Sequence, residues 1–235
     1  MFIVVGGIDG CGKGTIINTW AEILALHGKK IFDLREFTRK NGKLPEYEDI
    51  KSFDVILSNE MTYAWVGAAL RGEITQNNGR DYSALSVAQA YALDREILFR
   101  RIIVPAMKDG KIILQERTFE SSIVYQPLQD ESITVEEIMA IPGNKFALQN
   151  RPDILVIPRL SATTAIKRLT ARTEKQDNSI FEKLDFLTKA AEQYYSPWFR
   201  EFFEQHGTKV IYLDTEGTIE ETRKSAKKIF EEKIT

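Results

Sequence analysis

Gly7, Gly12 and Lys13 stand in the spacing G-x-x-x-x-G-K, the pattern of a phosphate-binding loop. The loop residues Gly7, Ile8, Asp9, Gly10, Cys11, Gly12, Lys13, Gly14 and Thr15 follow four apolar residues, Phe2, Ile3, Val4 and Val5, across Gly6. Glycines lack a Cβ, so backbone N–H groups can close around phosphate oxygens at the positive end of the helix that follows, while Lys13 neutralises the β and γ groups. The bland alternative is a glycine-rich turn that only joins a strand to a helix, and the order strand, loop, helix argues against it. Gly14 stands where the full pattern has Ser or Thr to ligand Mg²⁺, which leaves that role to Thr15, one place further on, or to water.

Two further clusters could do chemistry. Tyr91 and Arg95 are four residues apart, so on a helix a ring and a guanidinium share one face and could meet the same ligand. On spacing alone, an amphipathic helix with Tyr91 half buried and Arg95 paired to a surface carboxylate is the better reading. Glu116 and Arg117 end the apolar run 111–115, where the carboxylate could organise Mg²⁺ or its waters and the guanidinium could take phosphate. A structural ion pair at a strand end explains them equally well.

The elements that must position these residues alternate. Strand character marks 2–5, 30–34, 55–57, 111–115, 154–157 and 210–213. Helical spacing marks about 14–27, 61–71, 84–108, part of 135–150, 162–172, a long stretch 181–205, and 219–232. Residues 35–53 are polar with turn signals and read as a surface excursion. Ser83 is placed to cap a helix, and His27 before Gly28 suits a helix C-terminus. Alternation over the whole length implies a parallel sheet covered by helices on both faces, with the ligand at the carboxyl ends of the strands.

Composition narrows the class. With 235 residues, 43% of them hydrophobic and 28% charged, the chain can bury one sizeable core, and a single domain over 1–235 is expected. Thirty-two Lys and Arg against 34 Asp and Glu give no basic excess for nucleic acid or anionic lipid, so an anionic ligand must be held by local charge. Cys11 is the single cysteine, which suits a reducing compartment, and no apolar run approaches a membrane span. A cytoplasmic protein without nucleic-acid or membrane partners is expected. Cys11 reads either as a small packed residue or as a thiol whose pKa is lowered by the helix N-terminus beside it.

Taken together, GIDGCGKGT, the segment SNEMTYAWVGAALR (58–71), YALDR (91–95), ERTFESSIVYQ (116–126) and AIKRLTARTE (165–174) resemble the thymidylate kinase family, in the family's order. The resemblance implies a P-loop NTPase fold with a five-stranded parallel sheet and a short lid at about 168–182. It implies ATP as phosphoryl donor, dTMP as acceptor, Mg²⁺, and a homodimer formed through helices such as 84–108 near Trp65. Tyr91 would stack on thymine, Arg95 would bind the base or monophosphate, Arg117 would bind the acceptor phosphate and Ser122 would face the base edge. Tyr125 would lie under the deoxyribose, Asp9 would touch the 3′-hydroxyl, and Glu60 would hold the Mg²⁺ water shell or the sugar. Arg71 closes the 58–71 motif as a substrate-binding residue. Thr15 and Glu116 would serve the metal.

The sequence also departs from the family. The loop position at which some members carry an arginine is Gly10, which moves the expected catalytic cation to Arg172 or Arg168 in the lid, with Lys13 beneath. Glu116 replaces the usual Asp, and residues 36–57 look like an insertion. Two rival readings follow: a related kinase acting on dUMP, dCMP or dGMP, and a nucleotide-binding regulatory protein that has lost catalysis.

Overall fold

The computed structural model describes residues 1–171 and 183–234. Its sheet has six parallel strands: β1 (Phe2–Val5), β2 (Ile31–Asp33), β3 (Val55–Asn59), β4 (Ile112–Glu116), β5 (Ile154–Arg159) and β6 (Lys209–Asp214). They lie in the order β2-β3-β4-β1-β5-β6. The expected count of five is therefore corrected to six, because Ile31–Asp33 pairs with β3 (Ile31 opposite Val55, Asp33 opposite Leu57) and adds a short edge strand. Chain order reverses on either side of β1, the switch point where α/β sheets open a ligand crevice.

Helices α1 (Lys13–Leu26), α2 (Leu34–Asn41), α3 (Tyr47–Ile50), α4 (Trp65–Ala69), α5 (Ala84–Leu98), α6 (Val104–Lys108) and α7 (Phe119–Gln129) form the first part of the chain. After them come α8 (Val135–Ala140), α9 (Pro142–Gln149), α10 (Ala162–Thr170), α11 (Leu184–Tyr195), α12 (Pro197–Gln205) and α13 (Ile219–Ile229). One core, with Ile16, Trp20 and Phe230, fills one side of the sheet; the larger, with Phe99, Phe119, Tyr194 and Phe203, fills the other. The inner strands β1 and β5 are buried on both faces, as their uninterrupted apolar runs require, while the edge strand β2 is half-buried. No described helix is long and apolar enough to cross a membrane.

Several elements differ from the pattern-based expectation, each for a local reason. The stretch 181–205 is not one helix, because Pro197 holds Ser196 in an extended conformation and splits it into α11 and α12. The run 84–108 stays helical but contains a π turn at Phe99–Ile103 just before Pro105, which cannot donate to the preceding turn. Of 61–71 only Trp65–Ala69 is α-helical, followed by a π turn at Leu70–Ile74. Residues 61–64 are instead tied to α5, since Asp94 accepts from the backbone N–H and the hydroxyl of Thr62 at 2.8 and 2.7 Å.

The 35–53 stretch expected as a surface excursion folds into α2 and α3. Asp33 caps α2 by accepting from the N–H groups of Arg35 and Glu36 at 3.0 and 3.2 Å. Leu34, Leu44 and Ile50 are buried, and the Phe32 ring packs against Phe37 and Phe53 with centroids 5.7 and 5.2 Å apart.

Two helix contacts depend on the absence of a side chain. A Cβ at Gly10, whose φ is +82°, would come within 2.7 Å of the Ala165 carbonyl oxygen, so the loop admits no larger residue beside α10. A Cβ at Gly143 would lie 1.9 Å from the Ala92 carbonyl oxygen, because α9 crosses α5 at that point. Gly143→Ala is therefore expected to destabilise the fold by about 2 kcal/mol or more. Urea denaturation checks this, and an unchanged midpoint would contradict so close a crossing.

Candidate active site

Three strand ends meet beside the loop. Val5 and Asn59 both stand opposite Glu116 in the sheet register, so β1, β3 and β4 deliver their next residues to one edge. Backbone hydrogen bonds from Glu60 to the Glu116 carbonyl (2.8 Å) and from Arg117 to the Val5 carbonyl (3.0 Å) continue that alignment. Beyond this edge lies a cavity of about 540 Å³, large enough for a small-molecule ligand.

Gly12 caps α1 in the left-handed conformation at φ +92° and provides no side-chain hydrogen bond to the first turn. The N–H groups of that turn remain available for phosphate. Lys13 is buried and donates to the carbonyls of Ile8 (2.9 Å) and Gly7 (3.3 Å). Its Nζ lies 3.7 Å from Asp9 and 3.9 Å from Glu116, so two carboxylates fix the ammonium at the loop.

Arg117 connects the loop to the cavity. Its guanidinium pairs with Asp9 at 2.6 Å and donates to the Gly7 carbonyl at 3.0 Å and to Ser121 at 2.8 Å. It also lies 5.5 Å from the centroid of the Tyr125 ring. The Arg117 backbone sits at φ +66°, in the left-handed region that costs a non-glycine residue of the order of 1 kcal/mol.

Asp9, Glu60, Arg71, Tyr91, Glu116, Arg117, Ser122 and Tyr125, all named from sequence, line the cavity. Arg95 does not. It is almost fully buried one layer behind, pairing with Glu60 through Nε at 2.7 Å and bonding Asn144 through Nη1 and Ser122 through Nη2 at 3.3 Å. The surface carboxylate expected for Arg95 from spacing is corrected to a buried one, Glu60, because α5 packs Arg95 into the interior. Arg168 is also outside the cavity wall, donating to the carbonyls of Thr215 (2.7 Å) and Gly217. Arg172 and most of the expected lid lie outside the described residues.

Several wall residues were not singled out from sequence. Asp33, Arg35 and Arg39 come from β2 and α2, and Tyr63 from the turn after β3. The available signal was the i,i+4 spacing of Arg35 and Arg39 opposite the buried Leu34 and Thr38. Gln126 lines the cavity with a buried Oε1 that has no partner among the described residues. An unsatisfied acceptor there is suited to a ligand donor.

Burial sets the acid–base state of this layer. It pushes Glu60 up to about 8, opposed by Arg95 and reinforced by Glu120 and Asp94. Glu120 and Asp94 are raised by burial as well. The Cys11 thiol is also raised, because burial outweighs Lys13 and Arg117, so the reading of an activated thiol is corrected to that of a packed small residue.

A glycine-rich loop after the central strand of a parallel sheet, with a polar cavity beside it, defines the class as a P-loop nucleotide-binding protein. The family model described as thymidylate kinase matches residues 43–226, and the chain belongs to that family. Its members are nucleoside monophosphate kinases that use ATP as phosphoryl donor. A probable thymidylate kinase of Pyrococcus abyssi is 30% identical over 186 residues, covering 78% of this chain and 75% of that one. Another from Thermococcus gammatolerans is 27% identical over 234 residues, 94% of this chain and 96% of its own. The crystal structure of thymidylate kinase from Ehrlichia chaffeensis shares the fold with a TM-score of 0.63 at 19% identity, covering 98% of each chain.

The pKa shifts give a stability prediction. Glu60, near 8 in the folded protein against an ordinary 4.5, binds a proton on folding within that interval. The stability contributed by Glu60 is then fully present below about 4.5 and is lost as pH rises through about 8. Denaturant melts should show this fall, reduced in Glu60→Gln; a wild-type stability that climbs between these values would refute it.

Proposed function

We propose that this protein is a thymidylate kinase that transfers the γ-phosphoryl group of ATP to dTMP, giving dTDP and ADP. The carrying observation is Arg117, which joins a phosphate loop to an aromatic-lined cavity through one ion pair with Asp9. Donor and acceptor phosphates would then meet between Lys13 and Arg117.

The chemistry asks for positioning and charge rather than covalent participation. Lys13 and the α1 N–H groups would hold the donor's phosphates, while Arg117 would align the acceptor phosphate in line with them. Thr15 and Glu116 would hold Mg²⁺, which supplies charge neutralisation across the donor oxygens. One hydroxyl and one carboxylate fit an ion that completes its shell with water and phosphate. Tyr91 would stack on the base, Tyr125 would lie under the sugar, and Gln126 with Ser122 would meet the base edge. Asp9 and Glu60 would approach the sugar hydroxyl. Arg95 would act through Glu60 and Ser122, which it holds. Arg172 and Arg168 are our candidates for a cation that reaches the transferring group on lid closure, which would also exclude water. The exposed Trp65, Leu85 and Leu93 support pairing with a second copy.

Lys13→Met should reduce phosphoryl transfer by at least about 10²-fold while leaving the melting temperature near wild type. A coupled ADP-release assay with dTMP, dUMP, dCMP, dGMP and no acceptor checks both claims. ADP formation with dTMP supports the assignment, and preference for another monophosphate moves the acceptor. Binding without turnover leaves a regulatory protein, and a fully active Lys13→Met refutes the role of the loop.

A further inference from the structure

Four arginines line the cavity: Arg35, Arg39, Arg71 and Arg117. Three are already engaged. Arg117 pairs with Asp9, and Arg35 forms a two-pronged contact with Asp33 at 3.0 and 2.7 Å while reaching Asn18 at 3.0 Å. Arg71 donates through Nε to the carbonyls of Met61 and Thr62, both at 3.1 Å. Arg39 differs. Its guanidinium donates to the phenol oxygen of Tyr63 at 3.1 Å, and among the described residues it forms no ion pair.

Arg39 and Arg71 approach the same ring, with guanidinium carbons 4.8 and 4.0 Å from the Tyr63 centroid. Two like charges are thereby brought to one part of the wall, an arrangement that an anion would stabilise. Arg39 is carried there by a supported element. The α2 N-terminus is capped by Asp33, Leu34 and Thr38 are buried beneath it, and Phe37 joins the ring cluster of Phe32 and Phe53. Arg35 and Arg39 follow each other by one turn on the face toward the cavity.

We propose that Arg39, supplied by the segment between β2 and β3, is a specificity-determining residue that binds the 5′-phosphate of the acceptor nucleotide together with Arg71. A phosphate monoester dianion offers the paired oxygens that a guanidinium fork binds best. The acceptor is the relevant ligand because Arg39 shares its cavity with Tyr91 and Ser122, whereas Lys13 does not line it. This inference rests on reading the cavity as the acceptor site. It does not depend on which base the acceptor carries.

Calorimetric titration tests it, using dTMP, dUMP, dCMP and dGMP, each beside its nucleoside, on wild type, Arg39→Ala and Arg39→Lys. For the tightest-binding monophosphate, Arg39→Ala should weaken binding about 10- to 100-fold and change its nucleoside by less than about 2-fold, with Lys restoring part of the loss. In turnover, KM for that acceptor should rise while kcat stays within a few-fold. Equal losses for nucleoside and monophosphate, or no loss for either, would overturn the inference. So would a wild type in which no monophosphate binds more tightly than its nucleoside. If the tightest acceptor is not dTMP, the thymidylate assignment fails, while the role of Arg39 is still decided by the phosphate increment.

Discussion

The contact on which the site depends is the ion pair between Arg117 and Asp9. One partner belongs to the phosphate loop after β1 and the other to the residue just past β4, so the pair locks two strand ends together beside the cavity. Arg117 adopts a left-handed backbone to reach it, and the cost is offset by charge-assisted hydrogen bonds to Asp9, Gly7 and Ser121. Lys13, held near Asp9 and Glu116, completes an alternating cluster of two cations and two carboxylates. A bound nucleotide would enter charge that is already arranged, which is the basis of electrostatic preorganisation.

Behind that surface is a second polar layer that no ligand needs to touch. Arg95 fills most of its hydrogen-bonding capacity with Glu60, Asn144 and Ser122, and Gln115 adds a bond to Glu60 at 3.1 Å. A buried arginine and carboxyl group held together in this way contribute little net stability, since desolvation cancels much of the attraction, but removal of either partner leaves a costly unpaired group. Its use here is geometric, because Glu60 and Ser122 form part of the wall and are held in place by a side chain that does not. Asn144 reaches this layer because Gly143 lets α9 cross α5 in close contact, and its own amide is fixed by the Ile138 carbonyl at 2.7 Å.

The stretch between β2 and β3 changes how the cavity is bounded. Its polar composition concealed a small apolar underside, Leu34, Leu44 and Ile50, sufficient to dock α2 and α3. Docking turns an edge strand and a helix into an additional wall, with Asp33, Arg35 and Arg39 facing the ligand space.

The phosphate loop, the alternation of strands and helices, and the order of the site motifs were legible in the sequence because each is a local property: spacing, periodicity and glycine content. Tyr91 and Arg117 could be singled out for the same reason, whereas Ser122 and Tyr125 were named only through the resemblance to the thymidylate kinase family. Spacing could not tell whether Arg95 faces ligand or core, since four-residue periodicity marks a shared face without saying what covers it. That was decided by burial against Glu60 and Asn144, residues 35 positions before and 49 positions after it in the chain. The edge strand at Ile31–Asp33 was marked by the sequence pattern, and the count of five came from the family resemblance alone. Composition could not reveal the wall built from α2, because a short amphipathic helix gains its stability only from neighbours contributed by distant segments. The sequence by itself determined the phosphate loop and the class of fold. Tertiary structure decided which charges remain available to a ligand and which are consumed in holding the others still.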